Sequence, residues 1–220
     1  MVIADTTRRL VGGLFALEDL GCHTLKGFTE PVRVWRVIGE GMAESRFEAL
    51  RGPSLAPLVG RGQELSLLLD RWRQARAGEG QAVLLAGEPG IGKSRLIQAL
   101  RDELAGEPHA YLGYSCSPFH QDSPLWPVIA QLERAASLAR SDDPAQKLAK
   151  LETLLAQGSE NIARTAPLIT SLLSIPSDGR YPPLDMSPQL QRERTLAALV
   201  DQLAGLTAHR PVLLIWEDTH

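Results

Sequence analysis

The chain has 220 residues, 44% of them hydrophobic and 22% charged, which is enough apolar material for a buried core and argues against a disordered polymer. A formal charge of −3 and a pI near 6.0 give no general attraction to nucleic acid or to an anionic membrane surface. Cys22 and Cys116 form no CxxC pair, the start lacks a signal-peptide stretch and no window reaches the roughly 18 apolar residues of a spanning helix, so a soluble, cytoplasmic protein without disulfides or a zinc site is expected.

In chain order, short β-like pieces are predicted at Leu14–Leu17 and Val32–Val37, separated by Gly21 and by Gly27–Pro31. These first 40 or so residues are too few for a core of their own. Between Ile38 and Pro57 the pattern is irregular and glycine-rich, as in a linker, with a short helix expected around Ala43–Arg51. The periodicity then turns helical, with Leu65, Leu68, Leu69 and Trp72 on one face of a segment ending near Gly78. QAVLLAG, Gln81–Gly87, reads as a buried strand, because strands covered on both faces carry continuous hydrophobics. A helix from Lys93 to about Ala105 and a strand over Ala110–Cys116 follow.

From Leu125 to about Thr207 the chain reads as helical, with breaks at Gly158, Pro176 and Tyr181–Pro183. Asp142 and Asp143 before Pro144 suit a helix-capping turn, and Ser187 followed by Pro188 starts the last helix. Pro211–Trp216 is a further buried-strand candidate. In Ser115–Pro127, packing of Phe119 and Trp126 into the core outweighs a role in lining a cleft. This order of elements predicts an α/β fold, a parallel sheet with flanking helices preceded by a small β-containing segment.

GEPGIGKS, Gly87–Ser94, satisfies the phosphate-loop pattern GxxxxGK[ST] between a predicted strand and a predicted helix. Gly87, Gly90 and Gly92 let the backbone turn its N–H groups inward, and Glu88, Pro89 and Ile91 lie between them on the same loop. Those donors open the helix that begins Lys93, Ser94, Arg95, where the dipole favours an anion. Lys93 supplies charge to the β- and γ-phosphates and counts among the catalytic groups, while the Ser94 hydroxyl suits Mg²⁺. ATP with Mg²⁺ is the expected ligand. LLIWED, Leu213–Asp218, ends a strand in Glu217 and Asp218, and acids in this place hold the metal or orient the attacking water. Which acid has which task stays open. LVGRGQEL, Leu58–Leu65, reads by itself as a helix start with solvated Arg61 and Glu64, and the five histidines have no metal-ligand spacing.

Taken together, LVGRGQEL, GEPGIGKS and LLIWEDTH resemble the AAA-related signal-transduction ATPases called STAND, over Pro57–His220. The resemblance implies that Val59, Gly60 and Arg61 lie beside the adenine, and that Asp218, Thr219 and His220 begin an Asp-x-His-Trp sequence. It also implies strand order 5-1-4-3-2, in which the strand between those bearing the phosphate loop and the acids is strand 4, which follows the acids in sequence and is expected, with the sensor residues, lid and winged-helix region, beyond His220. LKGFTEPVRVWRV, Leu25–Val37, is similar to the closing strands of class III adenylate/guanylate cyclase domains, whose metal-binding aspartates would lie upstream.

The organisation expected is a cyclase remnant over 1–38, a linker over 39–56 and a truncated phosphate-loop NTPase domain over 57–220. The function expected is a regulatory ATP-binding module with little hydrolysis of its own, with protein partners or self-association in the full-length protein and neither nucleic acid nor membrane as partner. The rival readings are a residual cyclase without activity and an inert fragment.

Overall fold

Residues 1–40, 58–116, 123, 125–177 and 179–218 are described by a computed structural model of the chain. They fall into two compact units, Met1–Gly106 and Glu107–His220. The helix expected around Ala43–Arg51 lies outside the described residues, as do Phe119, Thr219 and His220.

The first unit opens with β1 (Val2–Ala4), α1 (Asp5–Val11) and a 3₁₀ turn at Gly12–Leu14, then β2 (Phe15–His23) and β3 (Val32–Glu40). The three strands form an antiparallel sheet in the order β1-β3-β2. β2 is much longer than the Leu14–Leu17 piece expected, because Gly21 does not break the strand. It lies at a register shift within the ladder with φ of +80°, and its N–H donates to Asp19 Oδ1 at 2.9 Å. Trp35 is flanked by the guanidinium groups of Arg8, 4.3 Å from the ring centroid, and Arg33 at 5.2 Å, and its indole N–H donates to Asp5. Val34 is the one buried hydrophobic residue of the described stretch 1–40, in keeping with a segment too small for its own core.

α2 (Gly62–Arg76) and α3 (Lys93–Leu104) pack against each other. The predicted face of α2 is the inner one, with Leu68 and Trp72 buried and Leu65 and Leu69 half-buried. On α3, Leu96, Ala99, Leu100 and Leu104 are buried at the i, i+3, i+4, i+8 spacing of a core-facing stripe. The expected strand over Gln81–Gly87 is not formed. The segment enters no ladder, and Val83 and Leu84 are 47% and 86% exposed. A strand's backbone is satisfied only by neighbouring strands. Among the described residues no strand lies beside this segment.

The second unit contains β4 (Ala110–Ser115), α4 (Trp126–Ala135), α5 (Pro144–Leu155), α6 (Ile162–Leu172), α7 (Pro188–His209) and β5 (Val212–Glu217). β4 and β5 pair in parallel, from Ala110 opposite Val212 to Ser115 opposite Glu217. Leu132, Leu151, Leu155, Ala166, Ile169 and Ile175 form the core among the helices. Local chemistry fixes the helix starts. Asp143 and Gln146 make a reciprocal capping box for α5, Asn161 caps α6, and Ser187 caps α7 with Pro188 at its first position. The segment before α7 is tied down at Glu152, whose carboxylate accepts from Tyr181 and, at 2.7 Å, from Arg180. Burial and that carboxylate push the Tyr181 hydroxyl up to about 12. Among the described residues, no helix is long and apolar enough to cross a membrane.

Candidate nucleotide-binding site

The phosphate loop is built by backbone conformation. Gly90 and Gly92 adopt φ of +83° and +94° with open space where a Cβ would stand, so the left-handed backbone, and not crowding, requires glycine there. Gly92 is the N-cap of α3 and no side chain caps that helix, so the first-turn N–H groups, which lack intrahelical acceptors, are left for an external anion. The first turn carries no acidic residue to compete. The Lys93 ammonium folds back over the loop, donating to the carbonyls of Gly87 at 2.7 Å and Glu88 at 3.1 Å. Ile91 N–H donates to Glu88 O at 3.4 Å, closing the turn, and Leu96 N–H donates to Gly92 O at 3.0 Å, opening the helix.

Val59, Gly60 and Arg61 belong to the same unit as the loop and immediately precede α2, with Arg61 as its N-cap. Val59 is 82% exposed and Gly60 has φ of +74°. Glu217 and Asp218 belong to the other unit. Glu217 is the last residue of β5, half-buried, and its carbonyl accepts from Cys116 N–H at 3.0 Å. Asp218 follows with φ of +56° and is exposed, a left-handed conformation that aspartate tolerates better than most side chains.

Residues 57–220 match the family model of the AAA ATPase domain. The chain belongs to the AAA ATPase family. With that membership come a phosphate-loop α/β fold and the binding of ATP, usually with Mg²⁺. Along its whole length the chain is also similar to an uncharacterized protein of Rhizobium meliloti (strain 1021), at 29% identity over 222 aligned positions. It spans about a fifth (21%) of that relative's length. No solved structure matches it.

One feature of the AAA domain is absent from the sequence motifs. Tyr114 and Trp216, paired in register across β4 and β5, stack with centroids 4.4 Å apart and planes 14° from parallel. They brace the strand end that leads into Glu217 and Asp218, and burial raises the Tyr114 hydroxyl above its ordinary value. The signal is the equal offset of the two aromatics from their strand starts, which becomes visible only once the parallel register is known.

Proposed function

We propose that this chain is the nucleotide-binding part of a STAND-type regulatory ATPase, joined to the end of a class III cyclase-like segment. The observation that carries the proposal is the Gly87–Ser94 loop leading into an uncapped helix with Lys93 folded over it, a preformed cradle for a triphosphate. In this reading the loop from Gly87 through Glu88, Pro89, Gly90, Ile91 and Gly92 wraps the phosphates, with Lys93, Ser94 and Arg95 at the helix start. Val59, Gly60 and Arg61 face the adenine. The Ser94 hydroxyl and the carboxylates of Glu217 and Asp218 are hard oxygen donors that fit Mg²⁺, which would supply charge neutralisation at the β- and γ-phosphates. Glu217 and Asp218 share metal binding and orientation of the attacking water.

The segment 1–38 is proposed as the cyclase remnant, 39–56 as the linker and 57–220 as the NTPase domain of a longer cytoplasmic signalling protein. The antiparallel β2-β3 pairing of the cyclase-like stretch supports this, as does the match of the entire chain to one longer relative. Cyclase activity is not proposed, because the likeness covers only the closing strands of such a domain, Leu25–Val37. The experiment is calorimetric titration of the chain with Mg·ATP and with ATP in excess EDTA. Saturable one-to-one binding, weakened without the metal, is the expected result. No heat and no change in melting temperature at millimolar Mg·ATP would reject the proposal.

A further inference from the structure

The second unit contains a cavity of about 440 Å³ between α6, α7 and the segment around Leu184 and Met186, within the size range of small-molecule sites. Its α7 wall is a single helical face, Arg194, Ala197, Ala198, Asp201 and Gly205, at spacings of three, four and seven. The alanines and glycine leave the space, and the charged residues give it character. Arg164 and Glu160 line it from the start of α6. Among the described residues, none of the side chains of Glu160, Arg164, Arg194 and Asp201 makes an ion pair or hydrogen bond.

The helix register separates these charges by sign. Gln191 in the first turn of α7 donates to Ser171 in the last turn of α6 at 2.7 Å. Near the other end of α7, Gly205 approaches Gly158, just before α6, so closely that a Cβ on it would lie 1.7 Å from the Gly158 carbonyl oxygen. α6 and α7 are therefore antiparallel. Interpolating between the two contacts places Arg164 level with Ala198, on the Arg194 side of Asp201, and Glu160 level with Leu203 beyond it. Arg194 and Asp201 are seven residues apart, about 10 Å along the helix at 1.5 Å per residue. The cavity thus has a guanidinium end and a carboxylate end. A small anion would satisfy only the guanidinium end, and a small cation only the carboxylate end. A molecule with opposite charges at its two ends meets each pair with its complement.

We propose that this cavity binds a small extended zwitterion of di- or tripeptide size, its carboxylate held by Arg164 and Arg194 and its ammonium by Asp201 and Glu160. The site lies wholly in the second unit and does not depend on the nucleotide reading. The probe is trialanine with free termini, titrated into the full chain and followed by saturation-transfer NMR, with N-acetyl-trialanine amide as the uncharged control. Binding of trialanine is expected to weaken about tenfold or more in Arg194→Gln and in Asp201→Asn, each of which removes one charge-assisted contact. Ala197→Leu, on an exposed part of the lining, should fill the cavity and abolish binding. All three positions are exposed, so the variants should keep the wild-type melting temperature and their response to ATP. Absence of trialanine binding at 10 mM, equal binding of the blocked peptide, or unchanged affinity in both charge variants would overturn the proposal.

Discussion

Lys93→Ala separates the loop's role in binding from its role in the fold. The ammonium now donates to two loop carbonyls, at 2.7 and 3.1 Å, and its third proton remains for a phosphate oxygen. A charge-assisted hydrogen bond is worth about 1.5 to 3 kcal/mol, so its loss should weaken ATP binding roughly 10- to 150-fold. The fold should survive, because the stripe that seats α3 is Leu96, Ala99, Leu100 and Leu104 and none of these is touched. The two effects can be read in one melting experiment. At ATP a hundredfold above the wild-type Kd, stabilisation is about 2.7 kcal/mol, and a hundredfold weaker variant keeps only about 0.4 kcal/mol at the same concentration. Calorimetry supplies the Kd values and scanning fluorimetry the shifts. Equal affinities, or a variant that is unfolded without nucleotide, would refute the reasoning.

Gly205→Ala should destabilise the second unit by about 1 to 3 kcal/mol or more, since its methyl group would overlap the Gly158 carbonyl, and urea denaturation measures the loss. Leu151→Ala, at a fully buried position, should cost about 2 to 5 kcal/mol in the same assay. The Asp142 carboxyl is held below its ordinary value by the hydrogen bond from Lys150, then by the Ala139 N–H. Its stabilising contribution is therefore complete above pH 3.8 and is lost as pH falls through the lower folded value. The urea midpoints of wild type and Asp142→Asn should differ at pH 7 and converge below that range. Phosphate release from ATP by the purified chain should fall far below about 1 per second, against typical enzyme turnovers on the order of 10 per second. Turnover near that rate, abolished in Asp218→Ala, would show that the chain carries a complete hydrolytic site.

The parts legible in the sequence are those whose causes are local. Asp143 and Ser187 cap helices through bonds to residues three positions ahead, and the phosphate loop owes its shape to glycines within one turn of Lys93. The amphipathic face of α2 was equally readable, because i, i+3, i+4 spacing is a property of one helix. What could not be read needs a partner distant in the chain. Gly21 looks like a break until β3 is placed beside it, and the contact of Gly158 with Gly205 joins positions whose closeness no local pattern encodes. Gln81–Gly87 is the instructive failure. Its composition suits a buried strand, but burial is a property of neighbours, and among the described residues no strand lies beside it.

That failure bears on how nucleotide binding relates to turnover. The loop keeps left-handed glycines, an uncapped helix start and a lysine over its carbonyls although the segment before it enters no ladder. In the proposed reading the anion site is built from Gly87 onward by the chain's own backbone, and pairing of Gln81–Ala86 is not a condition for that loop geometry. Hydrolysis makes a stricter demand, since the metal, the attacking water and the γ-phosphate must be in line, and a misplacement of about 1 Å can cost on the order of a hundredfold in rate. In the proposed reading Ser94, Glu217 and Asp218 are the groups that alignment depends on. Strand pairing on both sides of the loop-bearing segment is what would lock such groups into one sheet. Binding can therefore be strong where turnover is negligible.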